Sequence, residues 1–365
     1  MPPDPVSRRA FARTTALAVG ALGAAEVLGA GTEVSTATPA GAEPASAAPA
    51  GAEVKVGLYS ITYLGVWYRG AALTLEQVIE RAKEFGYAGV EVDGKRPHGN
   101  PLEWPPDRCR DLRRYAQDRG VEIYAVAANN DLSSPIPEHR ESQIAYVRDL
   151  VRMTADLGAR VLRVFLAWPG VTILREGGGR YDIAKAVWQK AHEAFSPEET
   201  WSWCREGLVE SARYAGEHGI TLALQNHPPV IADYRDVLRM VREVSSPHLE
   251  VCFDARLERG KDAEYVRKAT VEVGALQVLS HYGGEYRQGP GGIEVIGGEP
   301  CLAEVRGLLE IGYRGYFGYE LCHPLPVVDG RTVGVDYVHE NARLAAAYMR
   351  GVIAEAKRLH AAGGQ

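Results

Sequence analysis

From Val54 onward the chain alternates between short apolar, often β-branched runs and longer stretches whose apolar positions recur with helical spacing. Runs of this kind, separated by amphipathic helices, are the pattern of a parallel sheet wrapped by helices. Strands are predicted at Val56 to Ser60, Gly89 to Val92, Val121 to Ala127, Val161 to Ala167, Thr221 to Leu224, Val251 to Phe253, Ala275 to Ser280 and Tyr316 to Tyr319. Glycines in Phe85-Gly86-Tyr87, Arg119-Gly120, Leu157-Gly158-Ala159, His218-Gly219 and Ile311-Gly312-Tyr313 stand where helices should end. Thr74-Leu75-Glu76-Gln77 and Asp233-Tyr234-Arg235-Asp236 read as helix starts. Eight βα units that close on themselves make an α/β fold, a single-domain (β/α)8 TIM barrel over residues 53–365. An open doubly wound sheet would carry fewer units and a glycine fingerprint after its first strand, whereas here that strand runs into Ile61-Thr62-Tyr63-Leu64-Gly65.

Two connections exceed what a barrel needs. Residues 168–197 include Gly177-Gly178-Gly179, and residues 282–300 hold seven glycines together with Glu285, Tyr286 and Arg287. Both follow a strand's carboxyl end, the face on which barrels carry their sites, and are read as lids or as variable surface loops.

Before the first strand the character changes. Ser7-Arg8-Arg9-Ala10-Phe11-Ala12-Arg13 followed by a weakly apolar stretch from Thr14 to Gly31 resembles a twin-arginine export signal. Residues 32–52 form a spacer rich in Ala, Pro, Gly, Ser and Thr, with several small-x-small sites for a signal peptidase. Residues 1–52 are thus expected to be signal and linker, and the mature protein periplasmic or extracellular. Nothing later approaches twenty uninterrupted apolar residues, so no membrane span is expected after signal removal.

Charge narrows the partners. Among 365 residues, 41 Lys and Arg face 47 Asp and Glu, a net charge of −6, with no basic stripe for a phosphate backbone. Nucleic acid is therefore excluded as a partner, while a homo-oligomer is compatible with the composition. The five cysteines are widely spaced without a C-x-x-C and read mostly as buried thiols.

The chemistry gathers at the ends of the last four strands. Leu222-Ala223-Leu224-Gln225-Asn226-His227, Val251-Cys252-Phe253-Asp254, Val278-Leu279-Ser280-His281 and Phe317-Gly318-Tyr319-Glu320 each place a polar residue directly after an apolar run. In a barrel these residues converge on one mouth. Gln225, Asp254, His281 and Glu320 make a donor set suited to a divalent ion, Mn²⁺ or Mg²⁺ first, Co²⁺ or Zn²⁺ as alternatives. His227, two residues beyond Gln225, is a candidate proton shuttle. Arg256, Trp168, His98, Asn226 and His323 near other strand ends are candidate substrate contacts, and Glu91 a candidate buried, paired carboxylate.

The order and contexts of these strand ends resemble the xylose isomerase-like barrels, sugar phosphate isomerases and epimerases, over residues 54–355. The resemblance implies one divalent metal held by Glu, Asp, His and Glu from the fifth to eighth strands. Three positions match, and Gln225 stands where that family has glutamate. A two-base epimerisation needs a second proton carrier, which an amide is not. Suprafacial transfer through a cis-enediolate needs one base, and Glu320 is the candidate. The expected function is a metal-dependent isomerase of a sugar or keto-sugar. The alternatives are a lyase acting by β-elimination on a keto-sugar or 3-keto-glycoside, and a barrel that only binds carbohydrate. Export favours a free sugar or glycoside over a sugar phosphate. Gly89-Val90-Glu91-Val92-Asp93-Gly94-Lys95 mimics a phosphate-binding loop, but it begins inside a strand and lacks the following Ser or Thr.

Overall fold

The computed structural model describes residues 51–173, 178–297 and 301–363. The expected export segment and nearly all of its spacer lie outside these residues, as do Gly177 and residues 298–300 of the two long connections.

Eight strands pair in parallel and close on themselves. They are β1 (Glu53–Tyr59), β2 (Gly89–Asp93), β3 (Glu122–Ala127), β4 (Val161–Val164), β5 (Thr221–Gln225), β6 (Leu249–Phe253), β7 (Gln277–Tyr282) and β8 (Arg314–Tyr319). Each lies beside its sequence neighbours, and β8 closes on β1 from Arg314 against Glu53 to Tyr319 against Leu58. The expected TIM barrel is the observed one. The strands are buried nearly throughout, because the helices cover one face and the barrel interior the other. The phosphate-loop mimic is simply β2 and the turn after it.

The local signals act as their chemistry requires. Thr74 and Gln77 form a reciprocal capping box at the start of α1 (Leu75–Phe85), and Gly86 ends that helix in the left-handed conformation at φ 77°. The side chain of Asp233 accepts from the Arg235 amide at the start of the helix Tyr234–Val244. No described helix is long and apolar enough to cross a membrane. All five cysteines are free thiols, four of them buried.

Of the two long connections, the first carries a short hairpin, Thr172–Ile173 with Gly179–Arg180, and then the helix Tyr181–His192. The second is a hairpin, Glu285–Gly289 with Gly292–Ile296, in regular antiparallel register. Its base is tied to the C-terminal helix Val335–Gly363 by the Tyr286 amide donating to Asn341 Oδ1 at 2.7 Å.

The barrel interior is filled from one side. The ring of Tyr124 on β3 stacks on Tyr316 of β8 at 3.9 Å between centroids. It occupies space that β1, β2 and β8 leave by carrying glycine: a Cβ at Gly57, Gly89 or Gly318 would come within 2.6, 2.9 or 2.7 Å of it. A side chain at Gly318 would also meet the His281 ring at 2.9 Å, so this wedge lies directly beneath the mouth of the barrel.

Candidate active site

Three strand ends deliver the centre. Asp254 follows β6, His281 lies in β7 and Glu320 follows β8, and all three are buried. One ligand atom from each lies within 4.8 Å of the others. His281 Nδ1 is 4.0 Å from Glu320 Oε2, while its Nε2 contacts Glu91 Oε2 at 2.6 Å. An ionised carboxylate only accepts, so Nε2 carries the proton and Nδ1 turns its lone pair to the centre. Glu91 sits on β2 beside a register shift between Val90 and Glu91 in the β2–β3 pairing, an irregularity of the kind that re-aims a side chain.

Behind the centre lies Arg163 of β4, 2% exposed, which donates from Nε to Glu91 at 2.8 Å and from Nη1 to the Gln225 amide oxygen at 2.6 Å. Its guanidinium also lies over the rings of Tyr59 and Phe165, 4.7 and 5.1 Å from their centroids. Burial alone would raise the Glu91 carboxyl, but the charge of Arg163 and the hydrogen bonds from His281 and Arg163 outweigh it and hold Glu91 below the usual carboxylate range. Tyr59 stacks on His281 at 5.7 Å and 9°, fixing the other face of the imidazole.

Gln225 reaches the same centre but presents the wrong end of its amide for a metal ligand. With its oxygen taken by Arg163, its NH2 faces Asp254 Oδ2 at 3.1 Å and His281 Nδ1 at 3.5 Å. In this arrangement it donates to the ligands instead of joining them, which differs from the expected four-ligand set. The cation in place is a side chain. Arg256 Nη2 bonds Asp254 Oδ2 at 2.7 Å and also contacts Glu320 Oε1. Room for this guanidinium comes from Gly283, where a Cβ would fall 2.1 Å from Arg256 Nη1. Burial would raise the Glu320 carboxyl, but Arg256, His281 and Arg163 together hold it well below its ordinary value.

These donors fit a divalent ion. Two carboxylates and one imidazole nitrogen converge, with one ligand atom from each within 4.8 Å of the others, a donor set that would suit Mn²⁺ or Mg²⁺. The bridging guanidinium shows that the pocket already demands a positive charge at this place.

The other predicted contacts divide. Trp168, His227 and Arg256 line a cavity of about 560 Å³ that opens above Glu320. His227 is half-buried between the edges of Trp168 and Phe165, at 4.9 and 5.1 Å, and its Nδ1 donates to the Pro228 carbonyl at 2.5 Å. Its burial in the apolar wall pulls the imidazolium down to about 4, so the ring is neutral with its lone pair on Nε2. Three residues do not face the cavity. Asn226 spends its amide on the Asp254 backbone, donating to the carbonyl at 2.9 Å and accepting from the N–H at 2.9 Å, and donates again to Glu258 at 2.6 Å. His98 is buried against Ser60 Oγ and the Leu73 carbonyl, each at 3.0 Å. His323 is paired with Glu285 at 3.2 Å, at the hairpin's base. A place near a strand end does not decide whether a side chain turns inward to the mouth or sideways to a neighbouring backbone.

Arg163 escaped the sequence reading, although a charged residue inside Val161-Leu162-Arg163-Val164 was the signal: in a closed barrel such a residue must be buried and paired. Tyr181 escaped too. It comes from the first long connection and walls the cavity beside Trp168, at 5.8 Å and 76°. The second hairpin contributes nothing to that wall.

Residues 79–334 match the profile of the family described as xylose isomerase-like TIM barrel. Fructoselysine 3-epimerase of Escherichia coli O157:H7 is 24% identical over 268 residues, covering 68% of this chain and 86% of that protein. Among solved structures, D-psicose 3-epimerase with D-fructose superposes with a TM-score of 0.62 at 19% identity, covering 82% of this chain and 99% of its own. L-ribulose 3-epimerase gives 0.62 at 16%, covering 86% and 99%. The 3-keto-D-glucoside 4-epimerase of E. coli gives 0.56 at 16%, covering 82% and 100%. At these identities the superpositions speak for the fold.

Proposed function

Since the chain belongs to the xylose isomerase-like TIM barrel family, we propose that it is a divalent-metal-dependent isomerase of a keto-sugar, working through a cis-enediolate with Glu320 as base. The observation that carries this reading is the buried Asp254, His281 and Glu320 cluster with Glu91 fixing the imidazole from behind. Asp254, His281 and Glu320 would hold the ion, which supplies Lewis acidity at the substrate carbonyl and the hydroxyl beside it.

The chain's own residues handle the proton. Glu320 borders the cavity and is kept ionised by its cationic neighbours, as a base for the carbon next to the carbonyl must be. Gln225 carries no proton between faces, so the same carboxylate that removes the proton returns it. His227, neutral and open at Nε2, is suited to pass a proton between substrate oxygens. Trp168 and Tyr181 offer aromatic walls to the apolar face of a sugar. The relatives and solved neighbours are named as epimerases of fructoselysine, D-psicose and a 3-keto-D-glucoside, which supports the substrate class. The twin-arginine pattern at Arg8-Arg9 supports placing the enzyme outside the cytoplasm, and fusing residues 1–52 to a folded reporter should export it.

The test is incubation of the Mn²⁺-loaded chain with a panel of ketoses in D2O. Deuterium should enter the carbon beside the carbonyl in an isomeric product, and Glu320→Gln should slow this by about 10²–10⁴-fold. No exchange with any sugar, together with failure to retain Mn²⁺, would overturn the reading. A second reading, β-elimination from a keto-glycoside, draws on the neutrality of Gln225, since elimination also needs one base. It would be recognised by a product lighter by the departed group.

A further inference from the structure

The 560 Å³ cavity above Glu320 is one of two that adjoin. A second, of about 870 Å³, shares Trp168, Tyr181 and Asn129 with it and extends away from the centre over the amino-terminal part of the helix Pro137–Asp156. Even at the loose ~30 Å³ per heavy atom of liquid water, a twelve-atom hexose takes at most about 360 Å³. The first cavity alone accommodates the reacting sugar, and the second is left over.

Its walls have two characters. One is aromatic: Trp67 packs on Tyr181 at 4.9 Å between centroids, and Tyr181 meets Trp168 edge-on. Trp67 is 5% exposed and held by Gly179, whose Cβ would lie 2.7 Å from the indole, so this wall is built and not merely present. The rest is polar with charges of both signs, Lys95 and Arg96 against Asp131, beside the amides of Asn129 and Gln143. Lys95 Nζ lies 3.3 Å from Asn129 Oδ1 and 5.8 Å from the Trp168 ring centroid, which places a cation and an amide at the junction of the two chambers. Aromatic rings and hydrogen-bonding groups lining one chamber match a pyranose ring, whose C–H face stacks on aromatics while its hydroxyls meet polar side chains.

We infer that the second chamber is a subsite for a neutral glycosyl unit, so that the substrate is a keto-sugar carrying a second sugar residue. The inference rests on the proposed reaction at Glu320 for the orientation of the ligand: the keto unit lies over Asp254, His281 and Glu320, and the glycosyl unit passes Trp168 toward Trp67.

The experiment uses the full chain with Mn²⁺ and compares D-fructose with its 4-O- and 6-O-glucosyl derivatives, maltulose and palatinose, by calorimetric titration and by deuterium exchange. At least one disaccharide should bind tenfold or more tighter than fructose. Ser142, exposed on the helix Pro137–Asp156 and bordering the second chamber, gives the discriminating variant. Ser142→Trp should fill the chamber and erase the tenfold gain while fructose binds within twofold of its original affinity, and Ser142→Ala should keep the gain. Exchange with fructose but no gain for either disaccharide, or a gain that survives Ser142→Trp, overturns the subsite alone. Absence of exchange with all three sugars overturns the reaction at Glu320 and the inference with it.

Discussion

Glu91 holds His281 while Arg256 holds Asp254 and Glu320, and their substitutions should have opposite signatures. Glu91 accepts from His281 and so settles which imidazole nitrogen faces the centre. Glu91→Gln keeps the shape but not the charge, and Mn²⁺ affinity should fall by about 10–100-fold. Calorimetric titration checks this, and an unchanged affinity would contradict the role given to Glu91. Arg256 instead neutralises Asp254 and Glu320 where a divalent ion would otherwise do so. Arg256→Ala strands two buried carboxylates, a loss of about 3 kcal/mol in the presence of a chelator. Thermal unfolding with EDTA and with Mn²⁺ tests it: Mn²⁺ should recover more stability in the variant than in the parent, and an equal effect in both would count against the guanidinium as a resident counter-cation. Asp254, His281 and Glu320 were legible in the sequence because each directly follows or ends an apolar run. The direction in which Gln225 turns its amide was not, because it depends on Arg163, 62 residues away in the chain.

At the scale of elements, two of the expected substrate contacts serve as struts between them. Asn226, just after β5, holds the backbone of Asp254, just after β6, through both a donor and an acceptor. Asn226→Ala leaves those buried groups unpaired, at a cost of about 1–3 kcal/mol, and should weaken Mn²⁺ binding by displacing Asp254. Urea unfolding and metal titration on the same sample should show both effects together. His98 joins the turn after β2 to Ser60 after β1 and to Leu73 before the first helix. Its burial lowers the imidazolium below the ordinary value of 6.5. The unfolded chain therefore takes up a proton that the folded one refuses, so this contribution to stability is complete above about 6.5 and is lost as the pH falls below it. The urea midpoint should drop between pH 7.5 and pH 5, and the drop should be smaller in His98→Gln. An equal drop in both proteins would assign the acid sensitivity elsewhere. What misled the reading of Asn226 and His98 was register: a residue one place past a strand end turns to the mouth or to the adjacent strand according to pleat and twist, which the pattern of apolar positions does not encode.

Across the whole molecule, the eightfold alternation of strand and helix was readable because each unit repeats the same local signals, from the capping box at Thr74 to the glycine at Gly86. The two long connections were visible as excess length, but the place of the second in the fold was not, since its base is tied to Asn341, 55 residues further along the chain. Global stability should report on the centre. The three candidate ligands, Asp254, His281 and Glu320, lie at the ends of β6, β7 and β8, and β8 closes the barrel on β1. An ion at 100 times its dissociation constant adds about 2.7 kcal/mol to a fold that alone binds it. Dialysis against EDTA should therefore lower the unfolding midpoint, and Mn²⁺ should restore it. A midpoint indifferent to both would mean that the cluster binds no ion in solution.

The wedge of Tyr124 among Gly57, Gly89 and Gly318 sets how this barrel can diverge or be redesigned. Four positions on four strands hold one shared volume. A library that randomises any one of the glycines should return glycine, and one that shrinks Tyr124 alone should return a hollow beneath His281. A larger side chain at any of these glycines calls for a smaller one at Tyr124, so the floor of the site is inherited as a block.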